Sequence, residues 1–135
     1  CGVIDWMGTR KNKTSDTIGV GAVGELMFAA EARSRGCQVF FPVGEATALV
    51  DMVVVTPSGR KLTVQIKAQS TRKFSTVDLR VGHGEYRKAT AGHADILVVF
   101  NDGWHLFPTR LLLPDQKTLN VNVIREYRDN WKCLK

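Results

Sequence analysis

No stretch of this 135-residue chain approaches the ~20 consecutive apolar residues of a membrane helix, which excludes a transmembrane helix as its organising element. Cysteine is scarce. Cys1, Cys37 and Cys133 are odd in number and far apart, with no C-x-x-C and no Cys/His pairing at zinc spacing. A disulfide scaffold and a structural zinc site are therefore not expected, and a reducing, cytoplasmic setting is. Repeats, low-complexity tracts and Pro/Gly/Ser-rich linkers are also missing, so the length reads as a single domain. Acidic residues are in the minority, 13 against 19 Lys and Arg, for a formal charge of +6 and a pI near 9.5. Such a balance points to an anionic partner, nucleic acid being the commonest for an intracellular domain. A chain opening at Cys1 reads as a fragment or a processed form, with Met7 as an alternative start.

The chain divides into a basic, flexible arm over 1–16, carrying Arg10, Lys11 and Lys13, and one domain over 17–135. Ser15, Asp16 and Thr17 are competent N-caps and Gly36 a plausible stop, predicting a first helix from about 17 to 35. Three strand-like runs follow, "CQVFFPV", "ALVDMVVVT" and "KLTVQIKAQ", the last two joined by the turn "TPSGR". "ADILVVF" and "WHLFPT" flank "NDG", the strongest hairpin signal in the chain. Between them, "FSTVDLRV" reads as a strand and "GEYRKATAG" as a short helix. From Asn120 onward, Val123, Tyr127 and Trp131 at i, i+4 and i+8 predict a closing helix. One helix followed by a mainly antiparallel sheet with flanking helices is an α/β layered domain.

Gly19, Gly21 and Gly24 in "GVGAVGE" match G-x-G-x-x-G. A dinucleotide site needs a buried strand just before the first glycine, whereas "KTSDTI" is a polar stretch rich in capping residues, so a nucleotide cofactor is rejected. The glycines serve better as small residues that let a helix approach a sheet. Glu25 then shares a helical face with Gly21, Phe28, Ala29 and Ala32, and a carboxylate on an apolar stripe needs water, a cationic partner or a metal.

Alternation in "LTVQIKAQ" puts Leu62, Val64 and Ile66 on one face and Thr63, Gln65, Lys67 and Gln69 on the other. Asp51 is a single carboxylate inside the aliphatic run "ALVDMVVV". A two-residue turn at Ser58 and Gly59 sets it opposite Ile66, and a one-residue shift brings it against Gln65 or Lys67. A cross-strand ion pair between Asp51 and Lys67 is the plain structural alternative.

Gly21, Gly24 and Glu25 in the first helix, Asp51 in "VDMVVV", and Gln65 and Lys67 in "VQIKAQS" follow the order of a known motif. The chain thus resembles the PD-(D/E)XK nuclease superfamily, most closely its Q-x-K group I intron-encoded homing endonucleases and more distantly archaeal Holliday-junction resolvases. The likeness spans roughly 18–110. It implies a restriction-endonuclease-like core, with a central mixed, mainly antiparallel sheet flanked by helices. Val50 stands where the motif has Pro, and Gln65 where it usually has an acid.

That resemblance implies a Mg²⁺-dependent DNA endonuclease, with Mn²⁺ as a substitute, acting on duplex or branched DNA as a dimer or tetramer. Glu25, Asp51, Gln65 and Lys67 are its implied catalytic residues. Asp51, the Gln65 amide, the Ile66 backbone carbonyl and Glu25 are the implied metal ligands. Arg10, Lys11, Lys13, Gln69, Arg72, Lys73, Arg87 and Lys88 are the expected DNA contacts. A DNA-binding module of the same fold, with hydrolysis weakened or lost through Gln65, is the competing expectation. His83, His93 and His105 lack metal spacing and read as structural or surface residues.

Overall fold

The computed structural model describes residues 13–43, 50–68, 75–81, 88–89 and 93–135. In chain order the elements are α1 (Lys13–Ser34), β1 (Gln38–Phe40), β2 (Met52–Val55), β3 (Lys61–Ala68), β4 (Thr76–Asp78), β5 (Arg80–Val81), β6 (Lys88–Ala89), β7 (Ile96–Phe100), β8 (Trp104–Pro108), β9 (Thr118–Asn120) and α2 (Val121–Arg125).

Helix α1 begins at Lys13, a turn earlier than the capping residues suggested, because Ser15, Asp16 and Thr17 are tolerated in a first turn whose N–H groups lack helical partners. Its end follows the glycine. Gly36 at φ +86° donates to the Arg33 carbonyl (3.0 Å), and Cys37 N–H reaches back to that of Ala32 (3.0 Å), the paired bonds of a Schellman stop.

The aliphatic runs assemble into a five-stranded sheet of order β1-β2-β3-β7-β8, antiparallel throughout except for the central parallel pair β3–β7. Both faces of β7 are covered, which is why "ILVV" is a continuous apolar run and not an alternation. On one face Ile96 and Val98 join Phe28 and Ala32 of α1, Met52, Val54, Leu62, Val64, Ile66, Trp104 and Leu106. On the other, Leu97, Val99 and Phe107 pack with Val77, Leu79, Leu119, Val121 and Ile124 from the β4–β9 ribbon and α2. This is the mixed α/β, restriction-endonuclease-like layering expected.

The β2–β3 hairpin differs from expectation by one residue. Thr56 N–H bonds the Arg60 carbonyl and Gly59 N–H the Thr56 carbonyl (2.8 Å each), with Gly59 at φ +89°. Pro57, Ser58 and Gly59 thus form a three-residue loop, whose last position takes the left-handed conformation that glycine alone adopts cheaply. The longer loop shifts the register to Met52↔Val64.

Two further expectations are corrected. Lys88–Ala89 is a strand, paired with Arg80–Val81, where "GEYRKATAG" suggested a short helix; 84–87 and 90–92 of that segment lie outside the described residues. The closing helix stops after five residues, and it buries Val121 and Ile124 instead of Val123. Tertiary contacts override the 3.6-residue period here. Leu106 N–H bonds the Tyr127 carbonyl (3.1 Å) and Arg128 bridges His105, so the tail covers the edge of β8. Trp131 then closes the first core, stacking on Phe28 at 5.9 Å, and the Arg35 guanidinium lies over its ring at 4.0 Å. No helix among the described residues is long and apolar enough to cross a membrane.

Candidate active site

Asp51 immediately precedes β2, and extending the observed register from Met52↔Val64 sets it beside Gln65, one position from the pairing that a two-residue turn predicts. Asp51 N–H bonds the Val64 carbonyl (2.9 Å), so the chain bends off the ladder there. The bend leaves the carboxylate facing the exposed edge of β3, where Oδ2 accepts the Ile66 backbone N–H at 2.7 Å and the Gln65 side-chain Nε2 at 2.9 Å. Bonds of this kind to an ionised acceptor are strong, and they satisfy a strand N–H that β2 no longer reaches. Gln65 is 7% exposed, so its amide needs such a partner.

Lys67 stands two residues further along the same face. Its Nζ donates to the Arg80 carbonyl at 2.9 Å. Arg80 is itself fixed by Asp78, which accepts the Arg80 backbone N–H (2.9 Å), Nε (3.0 Å) and Nη2 (3.1 Å). The neighbouring carboxylate also raises the Arg80 guanidinium's already high pKa. Asp78 and Arg80 did not stand out in the sequence, although the D-x-R spacing places a carboxylate and a guanidinium on one face of a strand.

Gly24 brings α1 to this end of β3. A Cβ on Gly24 would lie 2.9 Å from the Ala68 Cβ, closer than real methyl groups approach. Glu25, half-buried, follows directly on the helix. The close-approach reading of the glycines therefore holds at Gly24, whereas a Cβ on Gly21 would meet open space.

The structure thus joins Asp51, Gln65 and Ile66 directly, sets Lys67 on the same strand, and carries Glu25 to that strand's end on α1. Lys13 opens α1 and Lys88 lies in β6, while their side chains and all of Arg10, Lys11, Gln69, Arg72, Lys73 and Arg87 lie outside the described residues.

The implied Mg²⁺ is a hard cation that favours oxygen ligands, and the Asp51 carboxylate and Ile66 carbonyl are of that kind. No group of three His, Cys, Asp or Glu that could hold a metal occurs among the described residues. The donor set fits Mg²⁺ only with neutral oxygens included, and the Gln65 amide presents its nitrogen, not its oxygen, to Asp51. Neither described thiol competes as a metal ligand or nucleophile: burial raises the Cys37 pKa and pushes Cys133 up to about 11. His105 is buried, its Nδ1 3.3 Å from the Val99 carbonyl, in keeping with a structural histidine.

No family model matches the chain, and no curated protein sequence does. Solved structures do. The chain is similar to the bacterial homing endonuclease I-Ssp6803I at TM-score 0.66 and 19% identity, covering 92% of this chain and 93% of that one. It is also similar to Hjc, a Holliday junction resolvase from the archaeal hyperthermophile Archaeoglobus fulgidus, at TM-score 0.59 and 15% identity, covering 84% of this chain and 94% of the other. This chain shares their fold, a restriction-endonuclease-like α/β layering.

Proposed function

We propose that this chain is a metal-dependent DNA endonuclease that hydrolyses phosphodiester bonds in duplex or branched DNA. The observation that carries the reading is the Asp51 carboxylate, drawn off the β2 ladder to the Gln65–Ile66 edge of β3 with Lys67 on the same strand. The shared fold of two DNA-acting neighbours and a formal charge of +6 support it.

Asp51, the Ile66 carbonyl and the Gln65 amide oxygen, once the amide has turned over, would hold Mg²⁺, with Glu25 contributing from α1. The bound ion would supply Lewis-acid polarisation of the phosphate and a lowered pKa for an attacking water. Lys67 contributes a positive charge next to that position, stabilising charge that develops on the phosphoryl oxygens and orienting the water. Its Nζ donates to the Arg80 carbonyl, which fixes where that charge sits. One such site cuts one strand, so cutting a duplex needs two protomers.

A second reading has its own observation. The Gln65 amide donates its N–H to Asp51 where an acid would offer a second carboxylate, as a DNA-binding module that has lost hydrolysis would allow. Nicking of supercoiled plasmid in Mg²⁺ or Mn²⁺ separates the two. The endonuclease nicks as wild type and falls by about 10²-fold or more as Lys67→Ala or Asp51→Ala, the range expected for a transition-state contact. Equal activity in all three, or none in wild type that nevertheless binds DNA, rejects it.

A further inference from the structure

A groove of about 900 Å³ opens at the opposite end of β3 from Asp51. Its walls carry Arg60 and Lys61 from the β2–β3 turn and the start of β3, Arg110 from the turn after β8, and Lys132 from the C-terminal segment. Three separate stretches of chain thus bring four cations to one concavity. Ligand pockets for small molecules are mostly apolar with a few polar groups, whereas this lining carries four cations.

Two carboxylates also line the groove, Asp95 and Glu126. Asp95 is occupied by the fold: its Oδ2 accepts the Thr63 N–H (2.9 Å) and hydroxyl (3.1 Å). Asp95 N–H in turn bonds the Thr63 carbonyl (2.9 Å), and the Thr109 hydroxyl donates to the Ala94 and Asp95 carbonyls. These bonds lock the ends of β3, β7 and β8 together, so Lys61 and Arg110 rise from a rigid floor. The balance of charge remains positive, and fixed cations across a concave surface suit a phosphate backbone, which is bound through charge without reading bases.

The placement decides which backbone. Lys61 and Lys67 are six residues apart on one strand, roughly 20 Å at 3.3 Å per residue. The groove and Asp51 thus lie at opposite ends of β3, a separation that gives a second nucleic-acid segment its own place in the groove. Building on the endonuclease reading, we propose that the groove is a second nucleic-acid-binding surface, taking the phosphate backbone of a second DNA segment while the first lies at Asp51.

The test counts short fluorescent duplexes bound per protomer of the full chain in EDTA at low salt. Wild type binds one more duplex per protomer than folded Lys61→Glu/Arg110→Glu does. The milder Lys61→Gln/Arg110→Gln, which guards against misfolding, makes the salt dependence of the weaker binding phase shallower by about 2 in log–log slope. The same number of duplexes per protomer in wild type and the folded charge-reversed variant, or an unchanged slope in the Gln pair, overturns the proposal. So does a groove that takes polyglutamate but no duplex, which would indicate an acidic protein partner. Plasmid nicking by wild type judges the endonuclease reading separately, so failure of one idea is distinguishable from failure of the other.

Discussion

Gln65 donates from Nε2 to the Asp51 Oδ2 at 2.9 Å, and that same oxygen takes the Ile66 N–H at 2.7 Å. A neutral amide thus stands where two carboxylates would otherwise face each other. The amide N–H is attracted to that carboxylate oxygen.

Gln65→Glu replaces this attraction with like-charge repulsion in a half-buried site. The variant is expected to lose about 1–3 kcal/mol at neutral pH without metal. Mg²⁺ should then restore more stability than it adds to wild type, because the added carboxylate strengthens a hard-cation site. Thermal melts with and without Mg²⁺ check both; a variant as stable as wild type in EDTA and indifferent to Mg²⁺ contradicts the expectation.

Asp78 holds Arg80 by three hydrogen bonds, and the Arg80 carbonyl holds Lys67. Asp78→Ala should therefore slow nicking by roughly 10-fold through a misplaced Lys67, given that small displacements of catalytic groups are costly. Asp78→Glu should recover part of the rate. The informative readout is kcat with KM nearly constant; a loss confined to KM would instead place Asp78 and Arg80 in DNA binding.

Two glycines of α1 should respond oppositely to alanine. Gly24→Ala forces a methyl to 2.9 Å from the Ala68 Cβ, which is expected to cost about 1–3 kcal/mol in spite of better helix propensity. Gly21→Ala meets open space and should gain about 0.5–1 kcal/mol. Urea unfolding of both variants measures the contrast directly.

His105 should make the fold sensitive to acid. Burial lowers its pKa from the ordinary value, Arg125 and Arg128 add repulsion, and the Val99 carbonyl only partly opposes them. Its Nε2 is buried with no hydrogen-bond partner among the described residues. Below about pH 6.5 the unfolded chain takes up this proton first, so stability falls with pH there and is constant above. The limiting slope is about 1.4 kcal/mol per pH unit for one proton. His105→Phe should flatten that part of the urea-derived stability profile, whereas an unchanged slope would assign it to other groups.

The layered α/β class is legible in the chain because it rests on local rules, among them period-two alternation in "LTVQIKAQ", the glycine stop at 36 and the "NDG" turn, while Glu25, Asp51, Gln65 and Lys67 stand out as candidates through the motif order they resemble. Contacts distant in sequence decided the rest. The register of Asp51 depended on whether the turn held two residues or three, a difference that local propensity scarcely weighs but that moves a side chain across to a new neighbour. The tail gave up its helical period to cover β8, an edge whose need is invisible from the tail's own residues. Asp78 and Arg80 came to Lys67 through the packing of β5, and Arg60, Arg110 and Lys132 came to one groove from turns far apart in the chain. Local sequence sets which backbone shapes and faces are cheap. Only the sheet, by joining strands distant along the chain, determines which charged groups meet.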